Sequence, residues 1–477
     1  MIYFILLFAL ALRLVVINQS LWLDEAIGAI VAKTFTFTDI ILKFPLTDNH
    51  PPLYYLVLRA WTQIFGFSEV SLRLPSVIFG VLTVLLVYKI AKNFTKANPI
   101  IPTLLLATSP LHIYYSQEAR MYSMAAFLAT GAIYFFLQVI KNEKNTVDWI
   151  IFTLFYTALA FSDYLPAFLY PVFFIYPIIK KIKPAWWKKF AISNIPLAVL
   201  GFLWLPIFRI QGEKGKWLLA TLPGWREVAG GATIKQLGVF WSKFVLGRIS
   251  FFNKTLYYSL IFAASLPILG LLTRTIRKIK ENSVFWLWFA VPVVLGFLAS
   301  FLFPAFIYFR FIFVLPAFYL LIALGKNKFL IYAVLVFNLI GWGIYTFDAT
   351  QHREDWRGAA SYIGEAAGPN EIAIFENTEP FAPYRWYDKG RIPAYGATDS
   401  ISANPDKTEA IVKKLTAQVD GIYYFEYLKP LQDPQGVVVG AIIDGGFVEV
   451  ERKAFNGVGF VIHFEKKEVF AYGGKNN

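Results

Sequence analysis

The stretch IYFILLFALALRLVVINQSLWLDEA (2–26) runs from apolar sequence directly into a pair of carboxylates, Asp24 and Glu25. Its apolar part, 2–17, approaches the length of about 17–25 residues that a helix needs to cross a bilayer. No basic segment precedes it and no small-residue cleavage site follows it, so we interpret it as an uncleaved first span rather than a signal peptide. The stretch therefore predicts a membrane helix that ends beside two acidic side chains.

The composition of the whole chain agrees with a membrane protein. Of 477 residues, 57% are hydrophobic and only 16% are charged, and the mean hydropathy is +0.53. A soluble globular protein carries about 25% charged residues because its surface faces water. The 18% content of aromatic residues excludes a disordered chain, since disordered segments are poor in aromatics. We conclude that the chain is an α-helical polytopic membrane protein.

Hydropathy predicts about eleven transmembrane helices, from apolar runs that reach or approach the length needed to cross the roughly 30 Å hydrocarbon core. They are expected near 2–17, 74–91, 99–114, 122–140, 148–162, 164–180, 190–208, 256–273, 284–303, 309–325 and 328–347.

The net charge of +14 comes largely from short tracts between apolar runs, such as KKIK (180–183) and RTIRKIK (274–280). Such tracts indicate topology signals and contacts with anionic membrane lipids rather than nucleic acid, for which we expect no role. Basic loops stay cytoplasmic. The loops 18–73 and 209–255 and everything after about residue 347 are therefore expected to face outward, as parts of a multi-pass protein of the cell membrane.

The segment 348–477 has the sequence pattern of a soluble α/β domain. We therefore divide the chain into a membrane domain (1–347) and an extracytoplasmic domain (348–477). We expect a helix at 356–366 capped by Asp355, a helix at 406–419, strands at 371–376 and 421–427, and a hairpin turning at Asn456-Gly457. The chain has no cysteine, so this domain must hold together by packing alone.

Charged groups collect at the predicted outward ends of the spans. After LWLDEA (21–26) come TDNHPPLYY (47–55), SLRLPS (71–76) and SPLHIYYSQEARMYS (109–123). Each has an ordinary explanation: Asp24-Glu25 as solvated loop residues, Pro51-Pro52 as a chain break, Arg73 as a snorkelling side chain. Arg310, in FPAFIYFRFIF (303–313), is harder to dismiss because an arginine at the centre of a span costs about 2.5–3.5 kcal/mol. Arg13 and Asp163 are candidates of the same kind.

Taken in order, the outward Asp-Glu pair, HPPLYY, RLPS, SQEARMY and a late arginine resemble the membrane-embedded C-type glycosyltransferases. The similarity is to the branch related to protein O-mannosyltransferases (dolichyl-phosphate-mannose-protein mannosyltransferase-like) and to aminoarabinose transferases. It covers about residues 1–347 and extends weakly to YIGEAAG (362–368). It implies helices around an outward cavity, a polyprenyl-phosphate sugar donor, and inversion at the anomeric carbon.

The resemblance also implies roles for individual residues. Asp24 matches the catalytic base, and Glu25 its neighbour at the catalytic site. Contacts to the donor phosphate are implied for Arg73, Arg120 and Arg310, and contacts to substrate for His50, Glu118, Tyr122 and Asp163. The chain has Asp163-Tyr164 where many relatives have a His-Tyr pair, which implies a different donor preference if this position touches the sugar or phosphate.

These residue types suit transfer from a lipid phosphate. Phosphate is a good leaving group, so one base for the acceptor hydroxyl and cations for the developing phosphate charge suffice. No cofactor is required, although a divalent cation at Asp24, Glu25 or Glu118 is compatible with the spacing. The hydroxyl acceptor is a lipid, a glycan or a protein. A transporter or flippase of a lipid-linked saccharide is the alternative, and a scaffold would leave Arg310 unexplained.

Overall fold

The computed structural model describes residues 1–467, which form two compact units. The first unit comprises residues 1–18, 31–216 and 226–352, and the second comprises 19–30, 217–225 and the chain from 353 onward. The first is helical, and the second contains a five-stranded sheet.

Before residue 348, helices occur at each of the predicted spans and also between them. They are α1 (Ile2–Leu14), α2 (Leu23–Thr34), α3 (Phe37–Leu42), α4 (Leu53–Phe65), α5 (Glu69–Phe94), α6 (Ile100–Ala107), α7 (Pro110–Ser116), α8 (Tyr122–Lys141), α9 (Thr146–Ala160), α10 (Tyr170–Ile179), α11 (Pro184–Ser193), α12 (Ile195–Thr221), α13 (Trp225–Ala229), α14 (Ile234–Leu246), α15 (Lys254–Ile276), α16 (Ser283–Ala299), α17 (Leu315–Leu324) and α18 (Lys328–Phe347). Short 3₁₀ turns lie at Phe44–Leu46, Leu165–Leu169, Tyr308–Val314 and Ala349–Gln351.

Among the described residues, five helical segments are long and apolar enough to cross a membrane: Glu69–Phe94, Tyr122–Lys141, Pro184–Thr221, Lys254–Ile276 and Lys328–Phe347. Shorter apolar helices lie at Ile2–Leu14, Thr146–Ala160, Leu165–Ile179, Ser283–Ala299 and Tyr308–Leu324. Large apolar side chains on these helices are exposed, for example Phe202 on α12 at 76%. Such exposure suits contact with lipid chains, and the chain is a membrane protein. The number of spans stays a prediction.

The predicted span at 99–114 is broken into α6 and α7. Pro110 lacks an amide hydrogen, so it cannot continue the hydrogen-bond ladder of α6. The break frees backbone carbonyls that need partners in an apolar environment. Asn338 Nδ2 on α18 donates to Leu105 O at 3.1 Å, and Arg13 Nη1 on α1 donates to Ala107 O at 3.2 Å.

Arg13 is fully buried, and its remaining contacts lie within the same group of helices. Its guanidinium also donates to Ala9 O at 2.8 Å and to Ser116 Oγ at 3.2 Å, and lies 2.7 Å from His112 Nδ1. These bonds join α1 to α6 and α7. The sequence pattern grouped Arg13 with Arg310 as a functional candidate, whereas the structure gives Arg13 a structural role.

The second unit alternates helices and strands after residue 353. They are α19 (Trp356–Ala366), β1 (Glu371–Phe375), α20 (Ala382–Tyr387), β2 (Ala394–Gly396), α21 (Pro405–Thr416), β3 (Gly421–Phe425), α22 (Lys429–Gln432), α23 (Val437–Asp444), β4 (Phe447–Phe455) and β5 (Gly459–Lys466). The strand order is β2-β1-β3-β5-β4, with β1 parallel to β2 and β3 and with β5 antiparallel to β3 and β4.

Both faces of this sheet are covered by apolar side chains. On one face Trp356 of α19 stacks on Phe425 of β3; on the other face Val412 of α21 packs in the layer of Ile374 and Ile422. The alternation along β1 and β3 sends successive side chains to opposite layers. The predicted helix at 356–366 and the Asn456-Gly457 hairpin are confirmed, and Asp355 accepts from Gly358 N at 3.0 Å as the expected cap.

A buried carboxyl group follows β1 directly. Glu376 is fully buried, and neither of its carboxyl oxygens has a hydrogen-bond partner within the described residues. Burial, aided by repulsion from the carboxylate of Asp433, raises the pKa of Glu376 to about 9. The folded domain therefore keeps a proton that the unfolded chain loses above the ordinary pKa of about 4.3.

We expect Glu376→Gln to stabilise the second unit at pH 7 by about 3 kcal/mol, because the neutral amide removes the cost of holding this proton. The stability of the wild type should fall as pH rises from about 4.3 to about 9 and then level off, whereas the variant should lose this slope. Thermal unfolding of the full chain in detergent across this pH range measures both effects. Glu409→Gln, which alters an exposed carboxylate on α21, is the control; equal pH slopes for Glu376→Gln and the wild type would contradict the assignment.

Candidate active site

Asp24 and Glu25 occupy the first turn of α2, where the helix dipole favours negative charge. Asp24 is half-buried and Glu25 is fully buried. Asp24 also contributes to the environment of Tyr427 in the second unit. Burial, followed by the carboxylates of Glu354 and Asp24, raises the pKa of Tyr427 well above its ordinary value, so its phenol remains a hydrogen-bond donor.

In the first unit, the turn that contains the HPP motif forms a polar cluster of Asp48, His50, Tyr55 and Arg120, here called the His50 cluster. His50 Nδ1 lies 3.2 and 3.1 Å from the two carboxylate oxygens of Asp48, and Tyr55 Oη donates to Asp48 Oδ2 at 3.2 Å. Arg120 Nη1 donates to Tyr55 Oη at 2.9 Å, and Arg120 Nη2 lies 3.5 Å from His50 Nε2. Two acid–base groups and one cation therefore share a single network.

The other groups of the His50 cluster stabilise the ionised form of Asp48. Burial alone would raise the pKa of Asp48, but the imidazole of His50, the guanidinium of Arg120 and the phenol of Tyr55 hold that pKa below its usual value. An ionised Asp48 favours the His50 tautomer with its proton on Nδ1, which leaves the lone pair of Nε2 directed at Arg120.

Neighbouring elements fix the His50 cluster in place. Gln211 Nε2 on α12 donates to the carbonyls of Asp48 at 2.8 Å and His50 at 3.3 Å. Tyr164 Oη, in turn, donates to Gln211 Oε1 at 2.5 Å. On the opposite side Ser76 Oγ of the RLPS motif donates to Arg120 O at 3.3 Å. The motifs that lie apart in the sequence thus meet at one turn.

Arg73, Glu118 and Tyr122 are all buried. Arg73 is fully buried and its Nη1 donates to Ile17 O at 2.7 Å, just after α1. The backbone carbonyl of Glu118 accepts from Arg120 N at 2.7 Å. The ring of Tyr122 packs edge-to-face on Phe309, 5.3 Å between centroids. The predicted contacts of these three residues with substrate or phosphate remain predictions.

Arg310 and Asp163 also belong to the helical unit. Arg310 is half-buried in the 3₁₀ turn Tyr308–Val314, and no side-chain hydrogen bond or ion pair involves it within residues 1–467. Asp163 is buried, and its Oδ1 accepts from Leu165 N at 3.3 Å. Of the predicted residues in the helical unit, His50 and Arg120 are brought together, and Arg310 presents a guanidinium that this part of the chain does not use.

Sequence reasoning missed three polar residues. Asp48 and Tyr55 lie within the quoted stretch TDNHPPLYY, where their spacing of two and five residues from His50 was the available signal. Arg248, in the loop after α14, lies over the ring of Tyr114 with 4.9 Å between its Cζ and the ring centroid and donates to Tyr114 Oη. Nothing in the flanking sequence of Arg248 indicated that contact.

The described residues do not suit a resident metal ion. Within residues 1–467, no three His, Asp or Glu side chains come together as a set of ligands. The divalent cation that the sequence left open thus has no assembled site in this part of the chain. The site instead offers guanidinium groups, which bind phosphate oxygens in pairs.

Comparisons with known proteins agree with these features. A family model described as dolichyl-phosphate-mannose-protein mannosyltransferase matches residues 49–212, which include His50, Arg120 and Gln211. An uncharacterized protein of Aquifex aeolicus is 25% identical over 135 residues, or 28% of this chain. That match spans only 27% of the relative's own length.

Two solved structures share the fold over nearly the whole chain. The Archaeoglobus fulgidus oligosaccharyltransferase, in complex with zinc and sulfate, superimposes with a TM-score of 0.54 and 14% identity, covering 96% of this chain and 72% of that one. ArnT from Cupriavidus metallidurans, bound to undecaprenyl phosphate, superimposes with a TM-score of 0.50 and 12% identity, covering 97% of each chain. At these identities the likeness establishes the fold.

We expect Asp48→Asn to lower the free energy of unfolding by about 2 kcal/mol, because His50 and Tyr55 lose a charged hydrogen-bond acceptor and Arg120 loses a nearby negative charge. Thermal unfolding in detergent at pH 7 measures the loss. Asp39→Asn is the control, since this partly exposed carboxylate accepts hydrogen bonds from Thr36 and pairs with Lys43 at 2.7 Å outside the His50 cluster, where an ion pair at the surface contributes little, so this change should cost less than Asp48→Asn. Equal losses in both variants would contradict the role of the His50 cluster.

Proposed function

We propose that this chain, which has the fold of the C-type membrane glycosyltransferases, transfers a sugar from a polyprenyl-phosphate donor to a hydroxyl acceptor. The reaction inverts the anomeric carbon and takes place at the outer face of the cytoplasmic membrane. The observation that carries the proposal is a pair of arginines in the helical unit: Arg120 lies in a buried network with His50, and the guanidinium of Arg310 has no hydrogen bond or ion pair within residues 1–467. The binding of undecaprenyl phosphate by ArnT, which shares the fold, supports this class of donor.

The reaction needs one base and a set of cations. Asp24 accepts the proton of the acceptor hydroxyl while that oxygen attacks the anomeric carbon, a role that contributes about 10²–10⁴-fold in rate. The bond between the anomeric carbon and the phosphate oxygen breaks, and the polyprenyl phosphate leaves with an additional negative charge. Guanidinium groups meet that charge in a site of low dielectric, where such contacts are strongest.

We assign Arg120 and Arg310 to the phosphate. Arg120 is held by Tyr55 and His50, so its orientation is fixed before the donor binds, whereas the guanidinium of Arg310 has no hydrogen bond or ion pair within residues 1–467. Arg73, Glu118, Tyr122 and Asp163 keep the roles that the family resemblance implies, with Glu25 beside the base. For Arg73 that role requires the guanidinium to divide its hydrogen bonds between Ile17 O and the phosphate.

Label transfer tests the proposal. Purified protein is added to membranes of a strain that lacks the chain, together with radiolabelled polyprenyl-phosphate hexoses and pentoses, and the label in lipid, glycan and protein fractions is counted. Transfer of label with release of polyprenyl phosphate supports the proposal. Movement of intact donor across the membrane of proteoliposomes, with no release of polyprenyl phosphate, would indicate the flippase alternative instead.

Asp24→Asn should reduce the rate of transfer by about 10²-fold or more while leaving the affinity for polyprenyl phosphate unchanged, because the amide cannot accept the hydroxyl proton. The rate is measured with the labelled donor and the affinity by competition with unlabelled polyprenyl phosphate. Undiminished turnover in the variant would refute Asp24 as the base.

Arg310→Ala should weaken binding of polyprenyl phosphate by about tenfold or more, since a hydrogen bond to a charged group contributes about 1.5–3 kcal/mol. The rate of transfer should fall as well. Arg274→Ala, in the basic tract predicted to be cytoplasmic, is the matched control and should change neither quantity. An unchanged affinity in Arg310→Ala would remove Arg310 from the phosphate site.

A further inference from the structure

The segment that carries Asp24 is held by residues more than 330 positions away in the sequence. Gln19 Oε1 accepts a hydrogen bond from Arg353 N at 2.9 Å, across 334 residues. Ser20 Oγ accepts from Arg357 N at 3.0 Å, across 337 residues. Both donors are backbone amides, that of Arg353 just before α19 and that of Arg357 in its first turn, so the main chain of the second unit holds part of the segment.

A third contact comes from α20. Leu21 N donates to Tyr387 Oη at 2.8 Å, and the ring of Tyr387 lies under the guanidinium of Arg357, 5.7 Å from its Cζ to the centroid. Leu21 is fully buried, so its amide depends on this phenol for a partner. Three consecutive residues before α2 are thereby each fixed by a different residue of the second unit.

Further contacts stabilise residues 354–355 of the second unit, next to the amides that hold this segment. Asp355 N donates to Asn456 O at 2.7 Å in the turn between β4 and β5. Gly457 has a φ of 71°, and a Cβ atom there would lie 2.8 Å from Cγ of Glu354. The hairpin turn therefore packs closely against residues 354–355. These residues lie between Arg353 and Arg357, whose amides hold Gln19 and Ser20.

Asp24 faces a polar group of the same unit. Tyr427 Oη donates to the carboxylate of Glu354 at 3.1 Å, and Trp356 Nε1 donates to that carboxylate at 2.7 Å. Asp24 is close enough to Tyr427 to affect its ionisation. Leu23, the residue before Asp24, packs against the apolar core that contains Trp356 and Tyr427.

We infer that the C-terminal part of the second unit, from residue 353 onward, contributes to the transferase activity. In this inference Tyr387 is a positioning residue that fixes the Asp24 segment through Leu21. This inference rests on the proposed function. Its physical basis is that a base displaced by about 1 Å can lose about 10²-fold in rate. A single stretch of three residues, anchored by the domain at each of them, removes the freedom that an outward loop would otherwise have.

Tyr387→Phe tests the inference, because it deletes only the oxygen that accepts from Leu21 N and keeps the ring beneath Arg357. Tyr362→Phe is the matched control: it deletes one phenol oxygen of the same unit, which donates to Glu451 at 2.7 Å. Ser20→Ala is the second test variant, since it removes a different anchor of the same segment. Hydrogen exchange of peptides covering residues 19–26 and the kinetics of label transfer are measured for all three variants in the full chain.

We expect Tyr387→Phe and Ser20→Ala to accelerate exchange in 19–26 and to lower kcat about tenfold, the equivalent of about 1.4 kcal/mol. KM for the donor and affinity for polyprenyl phosphate should stay within about twofold, which separates positioning from general damage. Tyr362→Phe should alter neither readout. Exchange in 19–26 that equals the wild type, or an unchanged kcat despite faster exchange, would overturn the inference. If the wild type transfers no label, the proposed function fails, and the exchange data alone still decide whether Tyr387 holds the segment.

Discussion

The constraint on which the helical unit depends is that polar groups removed from water must find partners inside the protein. The guanidinium of Arg13 satisfies this constraint through contacts with carbonyl, hydroxyl and imidazole groups of α1, α6 and α7. Arg73 meets it through Ile17 O. Arg310 has no such arrangement among the described residues. Arg13 and Arg73 thus have acceptors within the helical unit, and Arg310 differs from both in this respect.

Hydropathy and charge were enough to predict the membrane class, because the number of apolar residues in a run is a local property. They could not locate the break between α6 and α7, since its stability depends on Asn338 and Arg13 from distant helices. Arg13 misled the sequence reasoning for the same reason. From sequence alone, a buried arginine that stabilises the fold cannot be distinguished from one that binds a ligand. The hydrogen-bond acceptors around it make that distinction.

The C-terminal domain shows a similar division. The cap at Asp355 and the Asn456-Gly457 turn follow from local chemistry and were predicted. The short helix α20, the three-residue strand β2 and helix α23 were not, because tertiary packing rather than periodicity stabilises such short elements. In the candidate site, the motifs identified His50 and Arg120, but Asp48 acquires its importance only through the folded turn that brings its carboxylate to the imidazole.

The separation between Leu21 and Tyr387, 366 residues along the chain, has a consequence for biosynthesis. Residues 19–21 leave the ribosome more than 330 residues before the residues that anchor them. Ribosomal synthesis at about 5–20 residues per second separates these events by tens of seconds. Asp24 therefore stays in an unanchored loop until residues 353–387 have been synthesised and have folded.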